Sequence, residues 1–459
     1  ATALLVAALV ALTSAQVFNL DDIDEVRASS LAVHYVYYVG SGKDDVGTGD
    51  IGATLETQAA VVPDTRANMP AGTMELAKYS SCYIVVLPAK GFDDIFQAET
   101  FCDKLRDAKA NLPGAAVFPV NGEGSGSQKV PLVKSGAYFL GVANCGHLSG
   151  FKLSGTASLK HTHGFLPAID VNMVAFYGAC LAVYSLICIS WFCVLASYWE
   201  DTTEVHFAFM AVTVIAMLEC LVWIVFYRLW NTGGADSQLL LAIGNFASTW
   251  KVVVLFRMAF SARFAPREGE EGFCEGEKPN IVLLVWWFAA FHFGFAQYYN
   301  ASRNFGGHSL MFDALPAIIA TALIFIWVMI RMATEVSTLA KINYDAQASL
   351  LRKSQAILML ATVGALIVTV VHMFDPTLGY DAESWAGHIL VSGGFSQINF
   401  ATALCLAMCV WFPTDELQAS TYQVQSTSGA ESMPIGAIFD DADLEDDHAP
   451  APNSFGPAE

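Results

Sequence analysis

The chain has 459 residues, of which 54% are hydrophobic and only 14% charged, and its mean hydropathy is +0.46. Soluble globular chains carry about 25% charged residues, so composition alone excludes a wholly soluble protein. The formal net charge of −20 argues against nucleic acid as a partner, because binding phosphate needs clustered Lys and Arg.

Residues 1–15 form a short apolar run ending in Thr13-Ser14-Ala15. It is too short to span a bilayer comfortably, and its small residues fit a cleavage site, so it reads as a signal peptide. That reading makes residues 16–164 a lumenal or extracellular domain. The segments 31–39, 83–87, 115–120, 138–143 and 151–159 are rich in β-branched and aromatic residues and are separated by turn formers, which is the strand signature. A helical pattern covers 99–111. Many short strands joined by turns predict an antiparallel β-sandwich. Cys82, Cys102 and Cys145 are the disulfide candidates, because an oxidising compartment follows from the signal peptide. Two of the three can pair in three ways, and the sequence does not choose among them.

Two motifs in this domain invite a chemical reading. The glycine-rich run 122–127 lacks the Lys-Ser/Thr and the following helix of a phosphate loop, so a flexible turn is expected. His161 and His163 could present two imidazoles on one strand face, but no third metal ligand accompanies them. No HExxH, GxSxG or triad pattern is present, so no cofactor, metal or catalytic residue is expected and the chain does not read as an enzyme.

From residue 165 to 412 the chain is dominated by seven apolar stretches: 171–199, 205–230, 238–262, 281–299, 314–332, 355–374 and 385–412. A hydrocarbon core of about 30 Å needs roughly 20 apolar residues per helix, and a helix satisfies its own backbone where lipid cannot. The predicted fold is therefore a multi-domain membrane protein, a lumenal antiparallel β-sandwich followed by a seven-helix transmembrane bundle. With a lumenal N-terminus the odd span count puts the C-terminus in the cytosol. Arg263, Arg267, Lys278, Arg331, Lys341, Arg352 and Lys353 then face the cytosol, against only Arg228 and Arg303 in the lumen, in keeping with the positive-inside rule. Asn300-Ala301-Ser302 is a glycosylation sequon close to a helix end.

The intramembrane polar site expected from these spans consists of Glu219, Lys251, Arg257, His292 and Gln297. Glu219 and Lys251 are mid-helix charges at similar depth on consecutive antiparallel spans, and isolated charges there would each cost several kcal/mol. Pairing is expected, either as a polar cavity or as an ion pair that holds the bundle together. Asn245, Ser248, His372, Gln397 and Asn399 add polarity. The last span holds no Lys for a retinal Schiff base and no NPxxY, and the third ends without a DRY motif.

Several stretches in order resemble one family. They are 138–145 (YFLGVANC), Gly164-Phe165-Leu166-Pro167-Ala168, Phe176-Tyr177-Gly178, Met217-Leu218-Glu219 and Asn231-Thr232-Gly233. Together they resemble the GOST family, seven-helix proteins related to lung seven-transmembrane receptors and carrying a lumenal GOLD-type domain. The sequence departs from it at the end of the third span (260–266) and at His161–His163, as a divergent member would. The resemblance implies Golgi or endosomal membranes and a role in protein trafficking, with a receptor-like or a channel role as alternatives. It implies no catalytic residues. Membrane lipid, a lumenal cargo or partner ectodomain, and cytosolic sorting adaptors are the expected partners.

Residues 413–459 are acidic, and no Lys or Arg follows Lys353. Such a composition cannot bury enough apolar surface to fold alone, so a disordered cytosolic tail is expected. Asp440, Asp441, Asp443, Glu445, Asp446 and Asp447 would form an acidic sorting signal within it.

Overall fold

A computed structural model describes residues 18–19, 30–39, 53–63, 82–88, 116–120, 126–132, 136–144, 151–161, 163–167, 170–202, 204–234, 237–261, 290, 293–294, 310–341, 345–374 and 394–413. The expected signal peptide, the 99–111 helix, Cys102, Cys145, His292, Gln297, Asn300 and the acidic tail lie outside the described residues. So does nearly all of the fourth apolar stretch.

Among the described residues eight strands precede the helices: β1 Phe18–Asn19, β2 Ser30–Val39, β3 Ala53–Pro63, β4 Cys82–Pro88, β5 Ala116–Val120, β6 Gly126–Leu132, β7 Gly136–Asn144 and β8 Phe151–Lys160. They form two four-stranded sheets, ordered β1-β8-β3-β6 and β2-β7-β4-β5, and every pairing is antiparallel. Successive strands alternate between the sheets except at β4 and β5, which are neighbours. Ile84, Val85, Val86, Leu87, Tyr138 and Val142, on the adjacent strands β4 and β7, are nearly solvent-free.

Three strands, β1, β3 and β6, escape the sequence pattern, and the glycine-rich run departs from the turn expected of it. In β3, Thr54, Glu56, Thr57 and Gln58 interrupt the apolar pattern, yet the strand sits centrally between β8 and β6. The glycine-rich run expected to be a flexible turn instead contributes Gly126 and Ser127 to β6, where they pair with Ala59 and Gln58. Pro131 also lies in β6, opposite Thr54. Proline cannot donate to a ladder and is tolerated at a sheet edge, which is where β6 lies.

Among the described residues six long helices follow: α1 Met173–Ser197, α2 Glu204–Gly233, α3 Gln238–Ser261, α4 Leu310–Lys341, α5 Asp345–Phe374 and α6 Phe395–Val410. Among the described residues, three helical segments are both long and apolar enough to cross a membrane: Met173–Ser197, Val205–Gly233 and Ala348–Ile367. Gln238–Val254 and Phe395–Val410 are shorter apolar helices. Each helix packs on its neighbour in sequence within the groups α1–α2–α3 and α4–α5–α6, and α6 returns to touch α1 and α2. The joins within α1–α2–α3 and between α4 and α5 are short, and short joins favour such neighbours.

The bundle is apolar on its outer surface as well as in its core. Val183, Leu186, Ile189 and Phe192 on α1, and Ile319, Leu323, Ile326 and Ile330 on α4, point outward, as lipid-facing stripes do. Hydroxyl groups are satisfied within their own helices: Thr213 donates to the Phe209 carbonyl (2.8 Å) and Thr402 to that of Ile398 (2.8 Å). Such bonds let Ser and Thr sit in an apolar helix.

Helices α4 and α5 extend well beyond the apolar stretches 314–332 and 355–374. Arg331, Glu335, Lys341, Arg352 and Lys353 end the hydropathy signal, but an apolar face continues. Val328, Met332, Val336 and Leu339 recur at helical spacing and pack against Ala348 and Leu351, so the hairpin is held by an amphipathic seam.

Candidate functional site

Glu219 lies on α2, 14 residues before Gly233, and Lys251 on α3, 13 residues after Gln238. The antiparallel hairpin therefore sets them at one depth. Lys251 Nζ donates to Glu219 Oε2 at 2.5 Å, and both side chains are nearly solvent-free. Gln397, on the first turn of α6, bridges the pair. Its Oε1 accepts from Lys251 Nζ (3.1 Å) and its Nε2 donates to Glu219 Oε1 (2.8 Å). Tyr184 on α1 completes the group, its hydroxyl lying within bonding reach of Gln397 Oε1 (3.1 Å) and the Gln397 carbonyl (3.3 Å). The ammonium also lies over the Phe400 ring, 4.7 Å from its centroid, a cation–π geometry.

Four helices thus converge on one closed polar cluster. Both carboxylate oxygens and both ends of the Gln397 amide are engaged. Such a cluster ties helices together because each partner's loss would strand a buried polar group.

Beside the cluster, α2 carries a column of aromatic rings. Trp223, Tyr227 and Trp230 follow one another along the helix, at 6.0 Å between Trp223 and Tyr227 and 6.3 Å between Tyr227 and Trp230. Tyr177 of α1 stacks on the first two, at 5.9 and 6.0 Å. Gly244 of α3 lies against Trp223, where an added Cβ would come within 3.0 Å of the indole.

The column leads to Asn231, which binds the segment between the strands and the helices. Asn231 Nδ2 donates to the His163 carbonyl (2.7 Å), its Oδ1 accepts from the Leu166 amide (3.1 Å), and its own carbonyl accepts from the Phe165 amide (3.0 Å). Gly164 between them has φ +129°, and a Cβ there would overlap Asn231. Gly234, with φ +73°, abuts the Phe165 ring, over which Lys160 extends from β8. His161 closes a two-residue bridge with Gly164 and stacks on His163 at 4.8 Å between centroids. Burial, reinforced by the neighbouring His163, pulls the His161 pKa down to about 3. His163 Nε2 donates to the Leu166 carbonyl (3.0 Å), so this nitrogen is already engaged. Among the described residues no group of three or more His, Cys, Asp or Glu side chains converges as a metal site.

At the opposite end of the bundle, His206 of α2 donates through Nε2 to the Trp411 carbonyl (2.8 Å). Trp191 of α1 donates to the His206 carbonyl (3.0 Å), and the Trp411 indole to Ser354 of α5 (3.0 Å).

Of the five residues expected in the intramembrane site, the structure brings together Glu219 and Lys251. Arg257 lies on α3 with its side chain outside the described residues, as His292 and Gln297 are entirely. Cys82 opens β4, opposite Val120 and Asn144, and its side chain is also outside them. Sequence reasoning missed Tyr184 as a partner, since a lone Tyr in an apolar helix reads as packing. It noted Gln397 only as a polar residue in an apolar span, which is the one signal that could have placed it in the site. Asn231 stood out only through the family resemblance.

A sequence model of the GOST seven transmembrane domain matches residues 172–418, just over half of the chain. Transmembrane protein 87A of Xenopus tropicalis is 23% identical over 273 residues, 58% of this chain and 48% of that protein. Transmembrane protein 87B of Mus musculus is 24% identical over 271 residues (57% and 47%), and that of Homo sapiens 24% over 279 residues (58% and 47%). The chain spans about half the length of the curated relatives it matches. Taken with the closed helical cluster between α1 and α6, these matches show that the chain is an integral membrane protein with a seven-transmembrane domain and belongs to the GOST family.

Proposed function

We propose that this chain is a trafficking or sorting protein of Golgi or endosomal membranes, and that it acts by binding partners, not as an enzyme. The observation that carries the reading is the Asn231 clamp, which holds the segment leading out of β8 to the end of α2. A soluble domain held this way is presented at one membrane face in a fixed attitude, as a cargo-binding domain needs. In this reading the two sheets pack face to face as a lumenal sandwich of GOLD type, with its loops and edge strands open to partner ectodomains. The acidic residues Asp440, Asp441, Asp443, Glu445, Asp446 and Asp447 would meet basic patches on cytosolic sorting adaptors. Deleting 440–447 and imaging the protein tests the sorting claim: redistribution supports it, and an unchanged location contradicts it.

The buried Glu219–Lys251 pair favours a second reading, an ion channel or transporter. Buried intramembrane charges mark ion paths as well as structural pairs. Purified protein in a planar bilayer should then conduct, and Glu219→Gln should change the current. An electrically silent bilayer counts against this reading and leaves the first in place.

A further inference from the structure

We propose that α2 acts as a transmission rod, so that displacement of the soluble domain's exit segment is felt at the Glu219–Lys251–Gln397 cluster. The proposal goes beyond the trafficking reading and does not depend on which compartment holds the protein. Its first support is that one helix carries both ends. Asn231, near the end of α2, grips His163, Phe165 and Leu166 through three hydrogen bonds. Glu219 sits on the same helix about 18 Å away, at about 1.5 Å rise per residue.

The second support is that the space between is filled. Trp230, Tyr227 and Trp223 run in sequence from the clamp toward the cluster, with Tyr177 of α1 stacked on the last two. Gly244 lets α3 close against Trp223, and two turns further along α3 is Lys251. Packed interiors pass on displacement because they have little free volume. The third support is the steepness of the receiving end. Hydrogen bonds weaken sharply with misalignment, and Glu219 holds Lys251 and Gln397 through two separate oxygens. A small rotation or slide of α2 therefore breaks one of those bonds before it breaks any helix contact.

The clamp itself is shaped so that it cannot give way quietly. Gly164 occupies a backbone conformation that favours glycine and has no room for a side chain on its Asn231 side. Gly234 occupies another, against the Phe165 ring. Movement of the exit segment must thus carry Asn231 with it or rupture the three bonds.

The chain contains a natural reporter. Cys220 is adjacent to Glu219 and fully buried, while Cys405 is a partly buried thiol on α6. The full chain in lipid nanodiscs is alkylated with N-ethylmaleimide, and the rate at each cysteine is read by peptide mass spectrometry. Hydrogen exchange of residues 163–166 is followed in parallel. In Asn231→Ala the exchange of 163–166 should rise and Cys220 should label roughly fivefold faster or more, the opening expected when a hydrogen bond is lost, with Cys405 unchanged. The milder Lys160→Ala, which only removes the cation from the Phe165 ring, should give a smaller change in the same two places. Faster exchange at 163–166 with an unchanged Cys220 rate in both variants would overturn the proposal, because the junction would then move without α2. An equal rise at Cys405 would also overturn it, since that is general loosening. Unaltered exchange at 163–166 in Asn231→Ala would remove the clamp on which it stands.

Discussion

Gln397 holds Glu219 with one end of its amide and Lys251 with the other, so the ion pair is closed by a neutral third member. Removing one charge should therefore be far worse than removing both. Breaking a buried pair from one side typically costs about 3–5 kcal/mol. Lys251→Met is expected to lower the melting temperature of the purified protein strongly, while Glu219→Gln combined with Lys251→Met recovers most of the loss. A double variant as unstable as the two single losses added would show that the residues act independently.

Gly164 should not accept a side chain. Its φ of +129° and its contact with Asn231 mean that Gly164→Ala combines backbone strain with overlap, of order 1–3 kcal/mol for the strain alone. The expected result is loss of amide protection at 163–166, measured by hydrogen exchange. Wild-type protection in this variant would contradict the geometry described for the clamp.

The same segment should loosen in acid. The folded-state pKa of His161 is about 3, below the usual 6.5, because burial and then the neighbouring His163 oppose its charge. The unfolded state thus binds the proton more readily, and stability falls as pH drops from about 6.5 toward 3. Above about 6.5 this contribution is fully present. With the intrinsic pH dependence of amide exchange divided out, protection at 163–166 should fall between pH 7 and pH 5, and His161→Phe should flatten that dependence. An equal acid response in the variant would assign it to another group.

Gly244 tests the aromatic column. A Cβ at this position would approach the Trp223 ring to 3.0 Å, and inserting bulk into a packed interface costs typically 1–3 kcal/mol. Gly244→Val should lower the melting temperature and change the intrinsic tryptophan fluorescence. An unperturbed spectrum would mean that α3 has room to retreat.

The sequence makes the helices legible because lipid demands long apolar runs, and α1, α2 and α3 begin and end within a few residues of the hydropathy limits. It makes the α4–α5 hairpin less legible. There, charged residues such as Glu335 and Lys341 share turns with Val336 and Leu339, and the seam is visible only as periodicity. The β3 and β6 strands are obscured by Glu56, Lys129 and Pro131, residues that suit a solvated face or an edge. Of the polar cluster, the two charges announce themselves by their cost in lipid. Gln397 and Tyr184 do not, because their role depends on where α6 and α1 meet α2, a long-range fact that no local pattern carries. Asn231 has the same character, reading as the polar end of an apolar span until the chain around His163 is placed against it.

The proposed trafficking role requires a soluble domain on one side of an endomembrane, joined to a seven-helix bundle with its tail on the other. Its most direct test is the steady-state location of the C-terminally tagged protein, combined with protease protection of the tag. The expected result is Golgi or endosomal membranes with the tag digested from the cytosolic side. A tag protected inside sealed vesicles would contradict the orientation, and a protein resident at the cell surface would contradict the trafficking role.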